Sequence, residues 1–152
     1  MAGGQLRLSV QVEVQPVVDA LNRLVAAGAR LRPAFKEIGD YLLQSTEARF
    51  RAQRSPDGVP WAPLSPAYAA RKAKAGKGST LLVLNGYLRD QMRYQADDDE
   101  LRFGTDRVYG ATHQFGRPEA RIPARPVLGL DAADETEIVA ILNDHLAAAL
   151  PG

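Results

Sequence analysis

Cysteine is absent from this chain of 152 residues, and histidine occurs only twice. The lack of cysteine excludes disulfides and thiolate metal sites and suits a reducing compartment. The two histidines, His113 and His145, do not form the i, i+4 pair typical of a helical zinc site. No Gly-x-Ser-x-Gly turn is present to expose a nucleophilic serine. We therefore expect a protein that is not an enzyme, with no cofactor and no metal.

Long apolar runs and an excess of one charge are also missing. Residues 81–84 form the longest strongly apolar run, far below the roughly 20 residues that span a bilayer, so we expect no membrane contact. The chain has 19 basic and 18 acidic residues, which does not indicate a general polyanion binder. Its length is near the most common domain size, and we expect a single domain over 1–152.

The charges are distributed unevenly along the chain. Between residues 45 and 77 there are seven Lys or Arg and two acids, whereas residues 131–152 hold five acids and no Lys or Arg. Opposite charge on separate parts of one chain favours head-to-tail contact between copies.

Hydrophobic periodicity predicts the secondary structure. Alternation over 6–14 predicts a strand, and helical spacing predicts helical segments over about 17–27 and 33–53, either continuous or kinked near Gly28 and Pro33. Two short strands, 92–95 and 101–104, flank an acidic turn at 97–100. A capping box of Asp134 and Glu137 predicts the start of a C-terminal helix. These elements predict an α+β fold, in which a small antiparallel sheet packs against a long N-terminal helical region and a C-terminal helix, with extended Pro-rich arms.

Two further features of the sequence allow both a functional and a structural interpretation. Ser55, Pro56, Asp57 and Gly58 have the preferences of a type I turn, and Trp61 follows in a proline-rich stretch. Trp61 either belongs to a partner-binding arm or folds back as a lid on the core. The acids at 97–100 suit a hard cation or simply a solvated turn.

A basic tract follows, consisting of Arg71, Lys72, Lys74 and Lys77. We expect a flexible basic loop at about 72–80. Clustered cations bind phosphate without sequence preference, so this loop is either a nucleic-acid contact or a solvated connector.

The stretch 109–130 is the most diagnostic part of the chain. Helical spacing ends at Gly116, and Pro118, Pro123 and Pro126 then prevent an interior strand or helix, which predicts an extended arm at about 117–127. Arg125 could pair with a carboxylate of a neighbouring copy, or the arm could fold onto its own domain.

Several motifs occur in a fixed order: the turn at 55–58 with Trp61, then Tyr68 and the basic tract, then 84–89 around Gly86, then 113–116, then 122–126. This ordered series resembles the virion-morphogenesis (tail-completion) family of Mu-like tailed phages, and the likeness extends over about residues 5–148.

The resemblance implies a structural protein of the head–tail junction, or neck, which acts in tail completion or termination and in head–tail joining. It implies a homo-oligomeric ring, with six copies as our expectation, next to other neck, tail-tube and connector proteins. The virion neck would be its location after assembly in the host cytoplasm. Contact with DNA in the lumen stays open, as does the alternative of a nucleic-acid-binding accessory protein that uses the loop at 71–77. We expect Trp61, Tyr68, Arg121, Arg125 and Val127 at a subunit or ring interface, and structural roles for Asp57, Gly58, Gly86, His113, Phe115 and Gly116.

Overall fold

A computed structural model describes residues 14–63, 70, 71, 74, 92–105, 114 and 128–150. The chain divides into two compact units, and each is considered by itself. The helical unit contains residues 9–45, 93–103 and 129–152, and the turn unit contains 1–8, 46–92 and 104–128. Whether the two units act as one domain stays a prediction.

Helix α1, Gln15–Ala26, begins after the extended residue Val14. Pro16 lies in its first turn, where a missing N–H removes no helical hydrogen bond. Gly28 ends the helix with φ of 74°, a conformation that glycine adopts without a steric penalty. Ala20 and Leu24 are buried, whereas Val25 is 57% exposed. Helices α1 and α2 are therefore separate, with a break at residues 27–31, rather than continuous or kinked.

Helix α2, Arg32–Ala52, matches the predicted second helix closely. Its apolar residues Phe35, Ile38, Leu42 and Phe50 are buried, and they recur at the spacing of one helical stripe. The first part of the helix belongs to the helical unit, and the residues from Thr46 onward belong to the turn unit.

The predicted hairpin is confirmed as strands β1, Arg93–Ala96, and β2, Leu101–Gly104. In the turn, the side-chain oxygen Oδ1 of Asp97 accepts the N–H groups of Asp99 and Glu100 at 2.7 and 2.8 Å. These hydrogen bonds lower the pKa of the exposed Asp97 carboxyl below its usual range. The acidic turn therefore has a local structural role, since the carboxylate of its first residue accepts two backbone N–H groups of the turn.

The hairpin lies against α2 at a glycine inside the helix. A Cβ atom at Gly39 would be 2.5 Å from Cγ of Tyr94, so only glycine leaves room for that ring. The Tyr94 hydroxyl continues past it and donates to Asp40 Oδ1 at 2.7 Å. This close approach fixes the hairpin on one side of the helix.

Helix α3, Ala132–Ala149, begins three residues earlier than the predicted capping box implied. Asp131 is the N-cap: its side chain accepts the N–H of Asp134 at 2.7 Å, and Asp134 Oδ2 accepts the N–H of Asp131 at 3.0 Å. The capping box is therefore Asp131 and Asp134, and the prediction of Asp134 with Glu137 was wrong. The reason is that Asp134 is only 1% exposed and is needed as a buried acceptor.

One apolar cluster forms the core of the helical unit. It combines buried residues of α1, α2 and α3 with partly buried Leu101 and Phe103 of the hairpin, and α1 packs on α3. Three helices and a two-stranded antiparallel sheet in the described part of the chain confirm the α+β class. The strand predicted over 6–14 lies outside the described residues apart from Val14, and so do most of the Pro-rich arms.

Candidate functional site

The turn after α2 is held by its own hydrogen bonds. Ser55 N–H donates to Val59 O and Gly58 N–H donates to Ser55 O, both at 2.9 Å. The Ser55 hydroxyl donates to the Asp57 carboxylate, and Arg54 Nη1 donates to Gly58 O at 3.0 Å. Gly58 has φ of 85°, which favours glycine at this position. The predicted turn is thus present and internally braced.

The charge of Asp57 is supported by the same contacts. The hydrogen bond from Ser55 and the N–H of Val59 keep the pKa of the Asp57 carboxyl below its ordinary value. The carboxylate is exposed, so it stays ionised at neutral pH while it braces the turn.

Trp61 is fixed directly behind this turn. Its backbone N–H donates to the backbone oxygen of Gln53 at 2.7 Å. Its ring packs edge to face on the Phe50 ring, with centroids 5.6 Å apart and an interplanar angle of 76°. Trp61 is 5% exposed, so it folds back onto its own chain as the lid alternative described. Val59, two residues earlier, is 57% exposed. The turn therefore presents Val59 outward and anchors itself through Trp61.

A second fixed point in the turn unit was not predicted. The Gln114 side chain accepts the N–H of Leu128 at 2.9 Å and donates to Leu128 O at 3.1 Å. Both backbone groups of a buried residue are thereby satisfied by one amide side chain, as a neighbouring strand would do. Gln114 and Leu128, which stand on either side of the predicted arm in the sequence, are thus hydrogen-bonded to each other.

The helical unit contains a buried polar joint between α2 and α3. Asp134 Oδ1 accepts hydrogen bonds from the hydroxyls of Tyr41, at 2.8 Å, and Ser45. Burial, together with the hydrogen bond to Asp134, raises the pKa of Tyr41 to about 12. Toward the other end of α3, His145 Nε2 lies 2.7 Å from Glu37 Oε2. These contacts set the position of α3 on α2.

The acids of the hairpin turn are used in ion pairs. Asp98 lies 3.3 Å from Arg30 Nη2, and Glu100 lies 2.8 Å from Arg102 Nε. Among the residues that the structure describes, no group of three or more His, Cys, Asp or Glu is placed to hold a metal ion.

Only part of the predicted site lies within the described residues. Arg71 and Lys74 are exposed, and Asp57, Gly58 and Trp61 belong to the braced turn. Their roles at an interface or with nucleic acid stay predictions. The remaining predicted residues lie outside the described residues: Tyr68, Lys72, Lys77, Gly86, His113, Phe115, Gly116, Arg121, Arg125 and Val127.

Comparison with known proteins assigns the chain to a family. The model of the phage virion morphogenesis family matches residues 12–147. This chain belongs to that family. The match spans both compact units, so the family assignment applies to the braced turn and to the α2–α3 joint alike.

Individual family members extend the comparison. The chain is 32% identical to capsid assembly protein G of Escherichia phage Mu, over 95% of this chain and 97% of that protein. It is 31% identical to the Mu-like prophage FluMu G protein 1 of Haemophilus influenzae, over 76% of this chain and 79% of the relative. It is also 29% identical to tail completion protein S of Escherichia phage P2, over 72% of this chain and 80% of the relative. No solved structure matches the chain.

Membership of the virion morphogenesis family places this chain among phage structural and morphogenesis proteins. In the part of the family domain that the structure describes, no helix has the length and apolarity needed to cross a bilayer.

Proposed function

We propose that this chain is a structural protein of the phage neck, where it forms a homo-oligomeric ring that completes the tail and joins it to the head. One observation carries the proposal. The same chain is similar along most of its length to a protein named for capsid assembly and to a protein named for tail completion. A protein that acts where the two structures meet accounts for both names. We propose six copies in the ring.

The braced turn supports a role in assembly. Binding through a rigid turn loses less conformational entropy than binding through a flexible one, and the hydrogen bonds around Ser55 supply that rigidity. In the proposed ring, Val59 contacts a neighbouring protein while Trp61 fixes the turn from behind.

The arm at 117–127 is proposed as a second contact, with Arg125 bound to carboxylates of an adjacent copy, and Arg121, Val127 and Tyr68 nearby. The hydrogen bonds between Gln114 and Leu128 support this role because these two residues flank the arm in the sequence. Replacing Arg125 by Glu should leave the melting temperature of the monomer nearly unchanged and prevent incorporation into virions. A large loss of monomer stability would instead mean that the arm packs on its own chain.

Removal of the gene from the phage tests the proposal as a whole. We expect lysates that contain DNA-filled heads and separate tails, visible by negative-stain electron microscopy, with joined virions restored when the protein is supplied from a plasmid. Normal numbers of joined, infectious virions without the protein would contradict the proposal.

The alternative function, a nucleic-acid-binding accessory protein, is supported by the exposure of Arg71 and Lys74, three residues apart. Replacement of both residues by Gln separates the two functions. A neck ring should still assemble and join heads to tails, whereas an accessory protein should lose its salt-dependent affinity for DNA, measured by fluorescence anisotropy.

A further inference from the structure

Four of the five acids at and after Asp131 fall into two groups that the sequence alone does not distinguish. Asp131 and Asp134 are used within the chain, because they form the capping box and Asp134 also accepts from α2. Glu137 and Asp144 are exposed and make no hydrogen bond or ion pair in the described part of the chain. They lie two helical turns apart, about 10 Å along the axis, on one side of α3.

Small side chains surround these two acids on the surface of α3. Ala133, Ala140 and Ala147 are exposed on the same side of the helix and have the smallest side chains apart from glycine. Glu137, Asp144 and these three alanines form what we call the acidic face. It contains no Lys or Arg, since none occurs from residue 131 to the end of the chain.

A face of opposite charge occurs at the start of α2. Arg32 and Lys36 are exposed and one turn apart, and the first turn of α2 contains no acid. Two cations at i and i+4 repel each other, and Arg32 lies in the first turn, at the positive end of the helix dipole. Arg32 is within the electrostatic influence of Asp97, but neither cation forms an ion pair in the described residues. We call Arg32 and Lys36 the basic face.

The two faces of one copy point in different directions. Helix α2 turns Glu37, Tyr41 and Ser45 toward α3, and the period of 3.6 residues per turn places Arg32 and Lys36 on another side of α2. Glu137 and Asp144 lie about a quarter turn away from the side of α3 that is buried in the core. The opposite charges therefore meet only if a second copy supplies one of them.

We propose that the basic face of one copy docks on the acidic face of the next copy. The contact joins two different surfaces, so it repeats from copy to copy and closes into a ring when the rotation allows. Its exposed alanines let an approaching Arg or Lys side chain lie close to α3 and reach Glu137 or Asp144. This inference rests on the proposed function, in that it specifies the contact between ring subunits.

Two charge-reversal variants test the docking. In one, Glu137→Lys and Asp144→Lys make the acidic face basic, and in the other, Arg32→Glu and Lys36→Glu make the basic face acidic. Because like charges then oppose each other, each variant alone should assemble with an apparent dissociation constant raised at least about tenfold, measured by sedimentation velocity. Mixed in equal amounts, the variants should assemble again with alternating copies, because every contact is then complementary.

The mixture also controls for folding, since variants that assemble together must be folded. A matched control, Asp19→Lys with Asp99→Lys, changes the net charge as much as the first variant but at exposed sites outside both faces, and it should assemble like wild type. If both variants assemble like wild type, or if the mixture fails to assemble while each variant melts normally, the docking is wrong and the neck function stands. If wild type itself stays monomeric at all concentrations, both the docking and the proposed ring are contradicted.

Discussion

Replacing Asp134 by alanine removes the acceptor that joins α3 to α2. The carboxylate is 1% exposed and accepts from the Tyr41 hydroxyl at 2.8 Å, from the Ser45 hydroxyl, and from the Asp131 N–H at 3.0 Å. All three donors lose their partner in the Asp134→Ala variant. The perturbation therefore acts on the cap of α3 and on its attachment to α2 together.

The expected magnitude follows from these contacts. A hydrogen bond to a charged group contributes about 1.5–3 kcal/mol, and a capping interaction about 0.5–2 kcal/mol. The loss is offset because a buried carboxylate is itself costly to desolvate and because the half-buried Tyr41 and Ser45 can turn to water. We expect the free energy of unfolding to fall by about 2–4 kcal/mol, which for a chain of this size lowers the melting temperature by about 4–16 °C.

Urea unfolding followed by circular dichroism, at a protein concentration where the chain is monomeric, measures this change. Glu137→Ala is the matched control on the same helix, since Glu137 is exposed and unpaired in the described residues, and it should change stability by less than about 0.5 kcal/mol. If Asp134→Ala were as stable as that control, the buried joint would contribute nothing and the reasoning would be refuted.

Three further predictions concern single contacts. Gly39→Ala should destabilise the chain by about 1–3 kcal/mol in urea unfolding because its Cβ meets the Tyr94 ring, although alanine normally favours a helix; a stabilised variant would contradict the close approach. The pKa of Tyr41 rises from 10.0 to about 12 on folding, so Tyr41 loses its proton at a lower pH in the unfolded state than in the folded state. The free energy of unfolding should therefore fall between pH 10 and pH 12, by up to about 1.4 kcal/mol per pH unit. The Tyr41→Phe variant should show a smaller fall over this range, and an equal fall in both proteins would count against the pKa shift. Trp61→Ala should cost about 3–5 kcal/mol in thermal unfolding through lost packing on Phe50, with Trp61→Phe costing less, whereas a near-neutral Trp61→Ala would mean that Trp61 does not anchor the turn.

Local patterns predicted much of the fold because they report local physics. The apolar stripe of α2 and the strands around the acidic turn follow from side-chain periodicity within about twenty residues. The turn at Ser55 follows from residue preferences, which depend on the backbone of four residues. These features needed no knowledge of distant partners.

The errors and omissions involve distant partners. Asp131 and Asp134 are each followed three residues later by another acid, so either could start a capping box. Tyr41 decides between them, and it lies 93 residues before Asp134 in the chain. The contact of Gly39 with Tyr94 and that of Gln114 with Leu128 likewise join separate segments. In the candidate site, residue preferences predicted the turn but left open whether Trp61 faces a partner or the core, because its packing partner is Phe50 of α2.

The neck assignment is tested most directly by electron cryomicroscopy of purified virions, with the map computed around the junction of head and tail. We predict a ring of density there into which copies of this chain fit, with the acidic face of each copy next to the basic face of its neighbour. Virions that lack this chain at the junction, or that carry it elsewhere in the particle, would contradict the neck assignment.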